Sequence, residues 1–64
     1  MKFRVIYCVE MYSEDLLHLL SRRYFSTKRK AERVESYYMR KGFEVNVRKV
    51  DRCEWDNIRP EWVE

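Results

Sequence analysis

The chain has 64 residues, 45% hydrophobic and 39% charged, with a formal charge of +3; this supports one thin core and excludes a second. A domain this small buries only about 60% of the surface its unfolded chain exposes, so a deep substrate cavity would be carved from the core that folds it, and no enzyme is expected. Three Phe, five Tyr and two Trp beside a single Gly and a single Pro exclude a disordered segment, and no apolar run reaches the roughly 18 residues a membrane span needs.

In chain order, residues 3–9 alternate. Phe3, Val5, Tyr7 and Val9 are large and apolar, with Lys2, Arg4 and Glu10 among the residues between, which predicts a first half-buried strand. Ile6 and Cys8 soften the polar side, so that face is expected to be partly covered too. The opening Met1-Lys2-Phe3-Arg4 lacks the apolar core of a signal peptide, and a cytoplasmic location is expected.

Residues 13–25 support two readings. Ser13 could cap a short helix carrying Leu16, Leu17 and Leu20, or Leu17, Leu19, Ser21, Arg23 and Phe25 could alternate in a strand. A strand over 17–25, after a hairpin turning near 12–15, is preferred because two separated strands make a marginal sheet and a third stabilises it.

Residues 27–40 change to helical spacing, with Ala31, Val34 and Tyr38 on one stripe. Ser26 or Thr27 can cap the start, Phe25 can staple it, and Gly42 supplies the left-handed stop. Phe43, Val45 and Val47 then alternate with Glu44, Asn46 and Arg48 in a last strand over 43–50. The order predicts an α+β fold: a small ββαβ domain over 1–50, its three-stranded antiparallel or mixed sheet ordered 2-1-3 with one helix packed on one face. Residues 51–64 form a tail in which Trp55, Ile58 and Trp62 are spaced i, i+3, i+7 around Pro60. Either the tail covers the open sheet face or its edge, or it stays partly loose and offers its tryptophans to a partner.

Charge is unevenly spread. Residues 22–49 hold ten Lys or Arg against three Glu, about +7, whereas 51–64 hold five acids against two Arg, or −3. At 100° per residue Arg29, Arg33 and Arg40 fall opposite the apolar stripe, with Lys30, Tyr37 and Lys41 along one flank. The bland reading is a solvated helix face partly neutralised by Glu32, and the functional one is attraction to an acidic partner, either phosphates or a carboxylate-rich protein surface.

Other chemistry finds no constellation. His18, the only histidine, has no partnered nucleophile, Glu14-Asp15 reads as a turn, and one glycine cannot build a phosphate loop. Cys8 and Cys53 lack metal-site spacing, are expected at opposite sheet edges and read as free thiols. No catalytic residue, cofactor or metal is expected.

The run Gly42-Phe43-Glu44-Val45 opens a last strand that carries Arg48 and ends close to Cys53. In this, and in element order over 2–53, the chain resembles the small ββαβ host-takeover proteins of bacteriophages, among them an inhibitor of host RNA polymerase. The resemblance implies docking on a host protein through arginines of the last strand, here Arg48. The more basic helix and the acidic tail depart from that pattern.

These readings point to a small non-enzymatic binding protein, a phage-type inhibitor or modulator docking on an acidic host protein surface such as transcription or nucleic-acid-processing machinery. Its expected contacts are Arg29, Arg33, Tyr37, Arg40, Arg48, Trp55 and Trp62. The alternatives are a nonspecific nucleic-acid binder using the same basic face, or a structural protein that self-associates through its sheet edge; a monomer or weak homodimer fits the length.

Overall fold

The computed structural model describes residues 5–14 and 18–64. Its elements are β1 (Tyr7–Tyr12), β2 (Leu19–Phe25), α1 (Lys28–Arg40), β3 (Glu44–Lys49), a short α2 (Arg52–Trp55) and a 3₁₀ turn (Pro60–Trp62). The sheet is antiparallel in the order β2-β1-β3, so the chain is a small α+β domain of ββαβ order. Residues 13–25 hold β2, with Ser13 and His18 closing the hairpin: the Ser13 N–H donates to the His18 carbonyl at 3.0 Å and the His18 N–H to Ser13 Oγ at 3.3 Å. Asp15, Leu16 and Leu17 of the two competing readings lie outside the described residues, as do Lys2, Phe3 and Arg4.

The first strand is displaced from its expected position. It runs over Tyr7–Tyr12, and Val5, expected to point inward, precedes it and is exposed. Pairing fixes these limits. Tyr7 lies opposite Phe25 and Lys49, and Tyr12 opposite Leu19 and Glu44, across an irregularity between Met11 and Tyr12.

Helix α1 starts and stops where the side chains dictate. Thr27, in extended backbone, accepts the Lys30 N–H on Oγ1 at 3.3 Å. At the other end the Gly42 N–H donates to the Met39 carbonyl and the Phe43 N–H to that of Tyr38, with Gly42 at φ 91°. These are the two bonds of a Schellman ending, and the Tyr38 and Phe43 rings meet edge to face at 6.3 Å as its apolar contact.

Both sheet faces are covered. On the helix side Val9, Phe25 and Ala31 are buried with Tyr7, Val34, Val45 and Val47 packed around them. On the other side Ile6, Cys8 and Val50 are buried beneath Tyr24, Trp55, Ile58 and Val63, so the tail makes the second core. Removing these apolar groups from water contributes about 25 cal/mol per Å². The tail starts beside β3 and ends beside β2, where Val63 bridges Tyr24 in parallel, the Glu64 N–H donates to the Tyr24 carbonyl at 2.8 Å, and the Ser26 N–H donates back to Glu64 at 3.0 Å. The β2 edge is thereby covered at its Tyr24 end. No described residue pairs with the outer edge of β3.

Candidate functional site

The arginines divide into two sets. On the tail side of the sheet the nearly buried Glu10 (5% exposed) stands between its cross-strand neighbours Arg22 and Asn46. Arg22 donates to Glu10 Oε2 through Nε and Nη2 at 3.2 and 3.0 Å, and Arg48 Nε donates to Oε1 at 3.0 Å. Arg48 also forks onto Glu54 of α2, its Nη1 and Nη2 reaching the two carboxylate oxygens at 2.6 and 2.9 Å, and the Tyr24 hydroxyl reaches Glu54 at 3.4 Å. Burial alone would raise the Glu10 carboxyl, but the hydrogen bonds from Arg48 and Arg22 outweigh it and hold the group below its ordinary range. The same Arg48 fork lowers Glu54.

On the helix side Arg23 grips the Glu64 carboxylate with Nε at 2.8 Å and with Nη2, and donates to the Tyr38 hydroxyl at 3.1 Å through Nη1. That pairing lowers Glu64. Arg22, Arg23 and Arg48 are thus committed to the fold: they join β1, β2 and β3 to each other and to the tail.

The second set is unpaired. Arg29, Arg33 and Arg40 lie on the outer face of α1 and, with Glu32, Ser36 and Tyr37, line one shallow depression. Among the described residues none of these three arginines has a carboxylate within ion-pair distance; Glu32 is turned to Lys28 at 3.9 Å. Tyr37 is 55% exposed, held edge-on by Tyr38 at 5.6 Å and covered on one side by Lys41 at 4.9 Å from its ring. The face is therefore an array of guanidinium donors around an exposed phenol, able to bind planar oxyanions two donors at a time.

The seven residues expected to make contacts do not share one surface. Arg29, Arg33, Tyr37 and Arg40 converge on the α1 depression. Arg48 lies on the opposite side of the sheet with three of its five N–H groups turned to Glu10 and Glu54. Trp55 packs in the tail-side core, and Trp62, 48% exposed, stacks on Tyr24 at 6.5 Å with Arg59 over its ring at 5.9 Å. Glu32 lines the depression as its place beside the basic stripe leads one to expect, whereas Ser36 was missed. Helical spacing could have placed it, since it lies about 60° from Arg33 around the axis.

His18 and Cys53 are exposed and Cys8 is fully buried. Desolvation pushes the Cys8 thiol up to about 11. Among the described residues no group of three or more His, Cys, Asp or Glu side chains is placed to hold a metal, and no helix is long and apolar enough to cross a membrane.

No protein-family model matches the chain, and neither a curated protein nor a solved structure shows significant similarity to it.

Proposed function

We propose that the chain is a small non-enzymatic binding protein that docks the outer face of α1 onto an acidic surface of another protein and blocks or redirects it, in the manner of a phage-type inhibitor of host machinery. What carries this reading is the division of the arginines. Arg22, Arg23 and Arg48 are neutralised by Glu10, Glu54 and Glu64, while Arg29, Arg33 and Arg40 stand together with no ion pair among the described residues, the one carboxylate of their depression, Glu32, being turned to Lys28. Gathering like charges on one helix face costs stability unless a partner neutralises them, and partner carboxylates desolvated against guanidinium forks supply that energy. The resemblance to host-takeover proteins favours the same class of function, but by a different arginine: Arg48 is committed to Glu10 and Glu54, so the contact is assigned to Arg29, Arg33, Tyr37 and Arg40.

A second reading, single-stranded nucleic acid, is favoured by Tyr37, an exposed ring between two arginines on which a base could stack. Capture from a bacterial lysate with the wild-type chain and with the R29E/R33E/R40E variant tests the first reading. A protein retained by the wild type and lost by the variant supports it, and identical captured sets refute it. Titration of a fluorescent oligodeoxythymidylate over a range of salt tests the second, which requires a fall of log affinity with log salt of about 0.7 per phosphate neutralised.

A further inference from the structure

The two edges of the sheet are treated differently. That of β2 is met at its Tyr24 end by the chain's own tail through Val63 and Glu64, whereas that of β3 meets no described residue. The Val50 N–H donates to the Ile6 carbonyl at 2.8 Å, which makes Ile6 and Val50 a hydrogen-bonded pair of the antiparallel ladder. By alternation from that pair, Glu44, Asn46 and Arg48 turn their backbone groups toward β1, and Val45, Val47 and Lys49 turn theirs outward. A six-residue edge with two β-branched residues and outward N–H and C=O groups is a template for another strand.

The edge also complements itself. Reversed about Asn46, the sequence Glu44-Val45-Asn46-Val47-Arg48 sets Val45 against Val47, Asn46 against itself, and Glu44 against Arg48. We propose that the outer edge of β3 pairs antiparallel with the same edge of a second copy, about a two-fold axis through Asn46, to make a continuous six-stranded sheet. The two Val45–Val47 pairs then exchange four backbone hydrogen bonds, and both valines stay on the helix side. On the other side, Glu44 of each copy meets the Arg48 of its mate, which has two N–H groups not engaged by Glu10 or Glu54.

A second feature on the same side of the molecule agrees. Tyr38 leans toward β2, where its hydroxyl accepts from Arg23. Met39 follows it by 100° around the helix and so falls on the β3 side, where its thioether chain is 59% exposed. Two-fold pairing of β3 brings α1 beside its own copy, with Met39 on the facing flank. Opposite charges in register and a closed two-fold single out a second copy over an unrelated strand, and closure at the axis stops growth at the dimer.

The test is register-specific. The wild-type chain is followed by sedimentation equilibrium over a wide concentration range, and single cysteines are placed in a C53S background at Asn46 or Glu44. At the axis the two Asn46 Cα atoms lie about 4.5 Å apart, within disulfide reach, whereas the two Glu44 Cα atoms lie about 13 Å apart. The expected results are a monomer–dimer equilibrium, covalent dimer from N46C and none from E44C under mild oxidation, and at least tenfold weaker association for E44R, which sets arginine against Arg48. Asn46 and Glu44 are exposed, and N46C gives up only the 3.5 Å contact of Asn46 Nδ2 with Glu10, which Arg22 and Arg48 still hold, so these variants keep the fold. A chain that stays monomeric throughout, that grows beyond a dimer, or that cross-links as fast through E44C as through N46C overturns the proposal.

Discussion

Glu10 brings a carboxylate into the central strand at 5% exposure, and the fold answers with Arg22 from one neighbour and Arg48 from the other. Glu10→Gln keeps the shape but leaves two guanidinium groups facing an amide; since both arginines are partly in water, the expected loss is about 2 kcal/mol, read as a lower urea midpoint at unchanged slope. Alternation alone places Glu10 on the outward face between Val9 and Met11, and that reading fails for a physical reason. Its charged partners come from 12 and 38 residues away, so the neutralisation exists only once strand pairing brings Arg22 on one side and Arg48 on the other to Glu10. The two thiols were legible only in part: Cys8 is flanked by apolar residues in a strand and Cys53 lies in a charged segment. But Cys8 sits in the central strand and Cys53 in α2, not at opposite sheet edges as expected, because strand order is not a local signal. Cys8, fully buried with its thiol pushed up to about 11, and the exposed Cys53 should react very differently. With a disulfide-exchange reagent near neutral pH, one thiol per native chain should titrate quickly and the second only on unfolding. Fast reaction of both would mean that the tail does not cover β1.

At the scale of elements, α1 and β3 were readable because their signals are local: the Thr27 cap, the Ala31, Val34, Tyr38 stripe, Gly42, and the alternation through Val45 and Val47 all agree. Gly42 tests this directly. A methyl group at its Cα would meet no atom within 4 Å, so Gly42→Ala should lose about 1 kcal/mol purely from the positive φ, and Gly42→Asn less, as measured by thermal melting. β1 was misplaced because both its faces are covered, which blurs the period-two contrast: Ile6 and Cys8 on the tail side are as hidden as Val9 on the helix side. The tail itself is held by carboxylates, Glu54 on Arg48 and Glu64 on Arg23, and this gives its docking a pH dependence of definite sign. Glu10, Glu54 and Glu64 are all held below their ordinary value of 4.5, so each contributes stability fully above that value and loses it as the pH falls through the lower folded-state value. Stability should therefore fall below about pH 4.5, and Glu54→Gln should flatten that fall while lowering stability near neutrality. Trp55 fluorescence reports the step, since its ring leaves the apolar contact with Ile6, Cys8 and Val50 when α2 lifts.

At the scale of the whole molecule, a sequence count of ten basic residues over 22–49 describes a basic body, but the folded chain divides that charge by function. Arg22, Arg23 and Arg48 cross-link strands and tail, and Arg29, Arg33 and Arg40 face outward around one depression. Helical spacing was enough to find the outer three; nothing short of strand register could have withdrawn Arg48 from the contact surface, and only the tertiary fold separates Trp55, packed in the core, from Trp62, half in water. The division makes opposite predictions for chemically similar substitutions. Arg48→Met strips Glu10 and Glu54 of their shared partner and should cost about 2 to 3 kcal/mol, with Arg48→Lys intermediate because an ammonium keeps the charge and loses the fork. Arg29→Met, Arg33→Met and Arg40→Met remove no ion pair among the described residues and relieve repulsion along the helix, so each should stay within about 0.5 kcal/mol of wild type. Chemical denaturation of the four variants in one buffer decides the matter. A large loss from any of the outer three would make that arginine a structural element and remove it from the docking face, whereas a silent Arg48→Met would return Arg48 to the surface available to a partner.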